Sequence, residues 1–236
     1  MVDPSAPALA PTSPPGARTR VRVDVWTDLT CPWCYVGKHR LTQAVEAVRS
    51  EGVDAQLVLH SFELHPEWPA GVSEPVLEVA SRVHAVPAAQ ARSMEEGMAR
   101  QAHSEGLAFT VDRPVAGTFD VHRLLHLASQ AGVGEAFFTD VQGEYFAGRL
   151  DPADPDALTA AAVRRGIPEA DARRVLASQE FAEAVRADQA QARALGVTGV
   201  PFVVVGGRLA VAGAQSVQAY ADVLTRAASS VKAATA

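Results

Sequence analysis

Both cysteines of the chain lie two residues apart, in Cys31-Pro32-Trp33-Cys34, between a strand-like run at 21–26 and a helix-like run at 35–49. No other feature constrains the fold as much. A strand must end and a helix must begin within a few residues, with the thiols at the junction. Unpaired N–H groups and the positive end of the helix dipole favour a thiolate over a thiol there. The thiolate is the form that attacks disulfides. Pro32 suits the first helical turn, where its missing N–H costs nothing.

The flanking pattern extends the unit. Val21, Val23 and Val25 alternate with Arg22, Asp24 and Trp26, which is strand periodicity. Leu41, Ala44, Val45 and Val48 share one helical face, and Glu51-Gly52 ends that helix. Residues 55–59 form a second strand that runs into Ser61-Phe62-Glu63-Leu64-His65-Pro66. Strand, helix, strand at this length predicts a parallel pair with a right-handed crossover.

From about residue 74 to 195 the chain reads as helices with little strand. Apolar faces recur at Val76, Leu77, Ala80 and Val83, at Leu124, Leu125 and Ala128, and at Phe137, Phe138, Val141 and Tyr145. Asp154-Pro155 is an N-cap followed by a first-turn proline, and Gly196 is a C-cap. Strands return at 202–205 and 209–211, joined by Gly206-Gly207, before a closing amphipathic helix. The fold class is therefore α/β, in the order βαβ…ββα around a large all-helical insertion. The expected organisation is a flexible tail over 1–20, a discontinuous domain of 21–72 and 196–236, and a helical insertion over 73–195.

At 236 residues the chain is long enough for a sizeable core, and 48% hydrophobic against 20% charged residues argues against global disorder. The net charge of −6 gives no support for nucleic-acid binding. No apolar run approaches the roughly 18 residues of a membrane span. Residues 1–20 lack a basic start and a continuous apolar stretch, so a cytoplasmic protein is expected. In a reducing compartment a two-cysteine motif reads as catalytic or metal-binding rather than as a structural staple. A zinc site needs about four ligands. His60 and His65 have finger-like spacing, but the gap from Cys34 is too long for a finger, and no metal site is assigned.

Five segments in fixed order go further: DLTCPWCYVG (28–37), SFELHP (61–66), TFDVHRLLHLA (118–128), GVPF (199–202) and GAQ (213–215). Together they resemble the FrnE-type subfamily of DsbA-like oxidoreductases, within the thioredoxin superfamily, over nearly all of the chain after the tail. The resemblance implies a thioredoxin-like fold with a DsbA-like helical insertion, and a thiol–disulfide oxidoreductase or isomerase. It implies Cys31 as nucleophile, Cys34 as buried resolving thiol, and Val200-Pro201 as the facing loop with a cis peptide before Pro201. The Val200 backbone would then pair with an extended substrate segment. Protein or small-molecule disulfides would be the substrates and a cellular thiol the reductant, with glutathione as an electron partner. The dithiol is itself the redox centre, so no cofactor is implied. Similar architectures occur in kappa-class glutathione transferases and hydroxychromene-carboxylate isomerases, which carry Ser at the Cys31 position. A glutathione-dependent isomerase or transferase is thus the alternative reading, beside a non-catalytic peptide-binding module.

Further candidates surround the motif. Asp28 reads either as a turn or capping residue or as a carboxylate that tunes or relays protons to the thiols. Next to an exposed nucleophile, Trp33 reads as a substrate contact. His122 and His126 share a helical face; a hydrogen-bonded structural role is expected for the pair, and His122 is the better functional candidate. Phe62, Leu64, Met94 and Met98 read as core. Gly117 stands where the family pattern has Asn.

Trp33 also departs from the His that the best-known DsbA proteins carry between their cysteines. A neutral indole cannot give a thiolate the charge-assisted hydrogen bonding of an imidazolium. The couple is expected to lie below the roughly −120 mV of DsbA and nearer the roughly −270 mV of thioredoxin. Equilibration with glutathione buffers measures it, and a midpoint at or above the DsbA value would refute the expectation.

Overall fold

In the computed structural model, which describes residues 18–235, strand β1 (Thr19–Thr27) is the axis of the sheet. It pairs in parallel with β2 (Val53–Ser61) and antiparallel with β5 (Phe202–Val205), and β6 (Leu209–Ala212) completes the order β2-β1-β5-β6. β1 and β2 are joined by helix α1 (Pro32–Arg49), and the chain closes with α9 (Val217–Thr235). This is the thioredoxin-like α/β fold, with the dithiol at the β1–α1 junction.

The alternation along β1 decides what packs where. Val21, Val23 and Val25 are buried in one cluster with Val36, Leu41, Ala44 and Val48 of α1 and Tyr220 and Leu224 of α9. Trp26 belongs to a second cluster with Ala192, Val197 and Phe202. Period-two alternation thus feeds two separate apolar layers.

Between β2 and β5 lie α2 (Val76–Val83), α3 (Ala88–Ser104), α4 (Phe119–Gln130), α5 (Gly134–Phe146), α6 (Pro155–Arg164), α7 (Glu169–Leu176) and α8 (Ala182–Ala194). Asp154 caps α6 as expected, accepting from the backbone of Asp156 and Ala157. Phe137, Phe138 and Leu124 share the cluster that holds β1 and α1, and Tyr35 of α1 stacks on Phe146 of α5 at 4.6 Å. The helical segment and the sheet therefore share one continuous core.

Several expectations are corrected. Of the tail expected over 1–20, residues 1–17 lie outside the described residues, and Thr19 and Arg20 already belong to β1, paired with Val53 and Asp54. The helical stretch contains two short strands, β3 (Ser73–Pro75) and β4 (Pro114–Ala116), which pair with each other. Three residues with a proline at one end are too few to show a period. Met94 is 40% exposed rather than core, whereas Met98 packs against the core. Leu64 is also exposed, at 37%, because its loop turns its backbone inward to donate the Leu64 N–H to Asp28 Oδ2 at 2.8 Å.

A polar network fastens the helices to the sheet. His60 of β2 stacks on Trp26 at 4.5 Å. Its Nε2 lies 2.7 Å from Asp24 Oδ1 and its Nδ1 2.9 Å from Asp188 Oδ1 on α8. The second Asp188 oxygen accepts the Ser61 N–H at 2.8 Å and lies 3.2 Å from His126 Nε2 on α4. Burial opposes a charge on His60, yet the bonds to Asp188 and Asp24 outweigh it and raise its pKa. Burial likewise opposes charge on Asp188, but the bonds from His126, His60 and the Ser61 N–H hold it far below the usual carboxylate range. A raised histidine stabilises fully below its unfolded pKa of roughly 6.5, and that contribution is lost as pH rises through the folded value. A lowered aspartate stabilises above its unfolded pKa of roughly 3.9, and is lost as pH falls. Both contribute between about pH 4 and 6.5. Hydrogen bonds to charged groups contribute about 1.5–3 kcal/mol. His60→Gln should therefore cost about 2 kcal/mol at pH 6 in urea unfolding, and the gap to wild type should narrow by pH 9. An equal loss at both pH values would contradict the charge assignment.

Candidate active site

β1 delivers Thr27 and Asp28 to the end of the sheet, and the chain turns into α1 with Cys31 as its N-cap. Cys31 adopts an extended backbone, and its Sγ accepts the Cys34 N–H at 3.3 Å. A sulfur thus takes the place a serine or aspartate oxygen takes in most caps. Pro32 fills the first helical position as expected. Both cysteines are free thiols. Cys34 is completely buried, and Cys31, expected to be exposed, retains only 5% of its surface.

Cys31 is covered because a second loop closes over it. The Val200–Pro201 peptide is cis, and the Cys31 thiol donates to the Val200 carbonyl at 3.5 Å. As a thiolate, Sγ would keep the Cys34 N–H and lose the Val200 bond. The Pro201 carbonyl accepts the N–H of Gly213, which opens the GAQ segment. Tyr220 donates its hydroxyl to the Gly213 carbonyl at 3.2 Å, and Arg40 reaches the Gln215 carbonyl at 3.3 Å. These backbone bonds account for the GAQ segment as a support for the 200–201 loop.

Burial is the largest influence on the Cys34 thiol and pushes its pKa well up. The neighbouring Cys31 thiol adds to this, while the Asp28 backbone and the Thr27 hydroxyl pull the other way. Asp28 itself is buried and is not the helix cap. Its Oδ2 holds the Leu64 N–H, and its Oδ1 lies 3.5 Å from Nε2 of His122, which is fully buried on α4. His126, four residues on, turns to Asp188 and Ser61 instead, so the two histidines serve different networks. Among the described residues no group of three or more His, Cys, Asp or Glu is placed to hold a metal.

Trp33 stands 48% exposed in the first turn of α1, between the buried thiols, and Val200 is half-buried. The structure therefore brings Cys31, Cys34, Val200 and Pro201 together, with Asp28 and His122 behind them. Gly117 packs against Trp68, and a Cβ there would lie 3.5 Å from that side chain.

Sequence reasoning missed three contributors. Thr27 bears on Cys34 from the strand end. Gln142 reaches the Asp28 carbonyl from α5 at 3.5 Å, with no signal in the sequence. Gly37 did leave a signal, since glycine inside a helix costs about 1 kcal/mol and often marks a close approach.

The sequence and fold match known proteins. A sequence profile of the DSBA-like thioredoxin domain matches residues 22–225. The chain belongs to the DsbA-like thioredoxin family. The crystal structure of a probable DsbA oxidoreductase from Streptomyces coelicolor is 38% identical, with a TM-score of 0.82 over 88% of this chain and 89% of that one. Two more distant structures share the fold. A cytosolic disulfide reductase, DsbM from Pseudomonas aeruginosa, is 15% identical with a TM-score of 0.56 over 90% of this chain and 97% of that one. A 2-hydroxychromene-2-carboxylate isomerase is 15% identical with a TM-score of 0.59 over 87% and 95%. No curated protein matches. No helix among the described residues is long and apolar enough to cross a membrane.

Gly37 is where the two halves of this DsbA-like site touch. A Cβ there would lie 3.0 Å from Pro201 Cγ and 3.2 Å from Ala214 Cβ. Gly37→Ala gains about 1 kcal/mol of helix propensity but overpacks at a cost of roughly 1–3 kcal/mol. The variant should melt lower than wild type and exchange disulfides more slowly, as the 200–201 loop is pushed from Cys31. An unchanged or higher melting temperature would show that the loop gives way freely.

Proposed function

We propose that the chain is a thiol–disulfide oxidoreductase and isomerase working through the Cys31–Cys34 dithiol. One observation carries the reading: the Cys31 sulfur sits at a helix N-cap, on a backbone N–H, facing the Val200 carbonyl of the cis-proline loop. Cys31 as thiolate attacks a substrate disulfide, one substrate sulfur leaves as a thiolate, and a mixed disulfide forms. Cys34 then attacks Cys31 Sγ, the second substrate thiolate leaves, and two electrons have passed to the substrate. The reverse sequence oxidises a dithiol. Release of the mixed disulfide to another substrate thiol gives isomerisation.

Complete burial of Cys34 supports its role as the resolving thiol, because no substrate reaches it. The exposed Trp33 indole offers an apolar contact beside the thiols, and the Val200 backbone offers pairing to an extended segment. The dithiol stores the electrons, so the reaction needs no metal or organic cofactor. In a cytoplasmic setting glutathione or a thioredoxin-type system would keep the pair reduced and favour reductase or isomerase work. The second thiol favours this reading over the glutathione-dependent isomerase or transferase, which has no use for Cys34.

Cys31→Ser should abolish reduction of a protein disulfide such as that of insulin, and Cys34→Ser should accumulate a mixed disulfide visible by mass spectrometry. Full activity in Cys31→Ser would move the assignment to a peptide-binding module. Glutathione conjugation that survives loss of Cys34 would move it to the transferase reading.

A further inference from the structure

A glutamate is out of place at the end of a helix, because the negative end of the helix dipole disfavours a carboxylate there. Yet Glu105 caps the end of α3, with its N–H on the Ala102 and His103 carbonyls, and Gly106 turns the chain away at a φ of 75°. Its partners account for it. Arg40 of α1 grips the Glu105 carboxylate through Nε and Nη2 at 2.6 to 3.2 Å, and Gln101 donates to Oε1 at 2.7 Å. The Arg40 and Glu105 side chains each keep less than a fifth of their surface. The bonds from Arg40 hold Glu105 below the usual carboxylate range.

The guanidinium has one more arm. Arg40 Nη1 turns away from Glu105 and donates to the Gln215 carbonyl at 3.3 Å. From there a run of bonds leads to the thiols. The Tyr220 hydroxyl accepts the Gln215 N–H at 3.4 Å and donates to the Gly213 carbonyl at 3.2 Å. The Gly213 N–H reaches the Pro201 carbonyl at 2.8 Å. The corner at 213–215 is thus held by α1 on one side and α9 on another, and it holds the cis-proline loop in turn.

We propose that Arg40 and Glu105 are positioning residues that set the substrate-pairing edge of the 200–201 loop, so that α3 of the helical segment takes part in substrate selection. This rests on the oxidoreductase reading and on pairing of the Val200 backbone with an extended substrate. The fork is essential to the role. A guanidinium holds Glu105 and Gln215 in one fixed plane, whereas a lysine ammonium is a point charge on a flexible stem. The arrangement also separates two properties of the site. The Cys31 sulfur takes the Cys34 N–H from within α1, and a thiolate needs nothing from the loop. Recognition of an extended segment needs the Val200 edge. Loosening the corner therefore spares attack on a small disulfide and weakens attack on one carried by a peptide.

The test compares two disulfides on pre-reduced, full-length protein in single-turnover reactions, with acid quench and mass spectrometry. Hydroxyethyl disulfide requires only the thiolate. The symmetrical disulfide of an extended peptide also requires the loop edge, whichever sulfur is attacked. In Glu105→Gln and Arg40→Lys the ratio of second-order rate constants, peptide over hydroxyethyl disulfide, should fall about fivefold, a usual size for residues coupled through a bonded network. The rate with hydroxyethyl disulfide should stay close to that of wild type. A wild-type ratio in Glu105→Gln would overturn the proposal. A wild-type ratio in Arg40→Lys would do the same, since charge alone would then suffice. Equal loss with both disulfides also overturns it and marks a structural role, because partial unfolding lowers both rates together. Should Arg40→Lys fail to fold, Glu105→Gln, which keeps the size of the side chain, decides alone. A wild type that reacts with neither disulfide would instead remove the oxidoreductase reading itself.

Discussion

The approach of the 200–201 loop to the N-terminus of α1 is the contact on which the site depends. Cys31 has a defined place only because two backbones converge on it, one supplying the Cys34 N–H and the other the Val200 carbonyl. Each is fixed from behind. β1 is held by β2 along its whole length and by β5 over residues 23–26. The loop leads directly into β5, and its Pro201 carbonyl is tied to Gly213 beyond β6. Gly37 removes the Cβ that would keep them apart. Packing in a protein interior leaves little slack, so a few tenths of an ångström here are felt at the sulfur.

The helical segment is fastened to this frame by two polar networks of opposite character. In the first, His60 lies between Asp24 and Asp188, and His126 and the Ser61 N–H complete the Asp188 shell. Its charges are matched and its ring nitrogens paired, as a structural network requires. In the second, Asp28 and His122 meet at 3.5 Å with ring nitrogens left open. The same helix α4 supplies a histidine to each, one turn apart. That spacing, which on the sequence alone suggests a shared role, instead divides the two histidines between a paired network and an unpaired one.

How much of this was readable in the chain depended on the range of each signal. The βαβ and ββα units, the cap at Asp154 and the turn at Gly206-Gly207 rest on local periodicity and turn chemistry, and all are present. The places of Cys31 and Pro201 followed from motif resemblance. Leu64 shows where local patterning stops, because an apolar residue is sent outward by a backbone bond to Asp28, 36 residues away in sequence. β3 and β4 are too short to carry a period and exist only because residues far apart in the chain meet. Gln142 contributes through the fold alone, from 114 residues away.

In the proposed reaction, the asymmetry between the thiols sets the order of events. Cys31 keeps a sliver of surface while Cys34 has none, so a substrate of any size meets Cys31 first. Burial holds the Cys34 proton in place, which keeps that thiol inert while Cys31 is free. In the proposed mixed disulfide, an electrophilic sulfur would stand beside Cys34. Burial thus shields Cys34 from any partner but the Cys31 sulfur beside it.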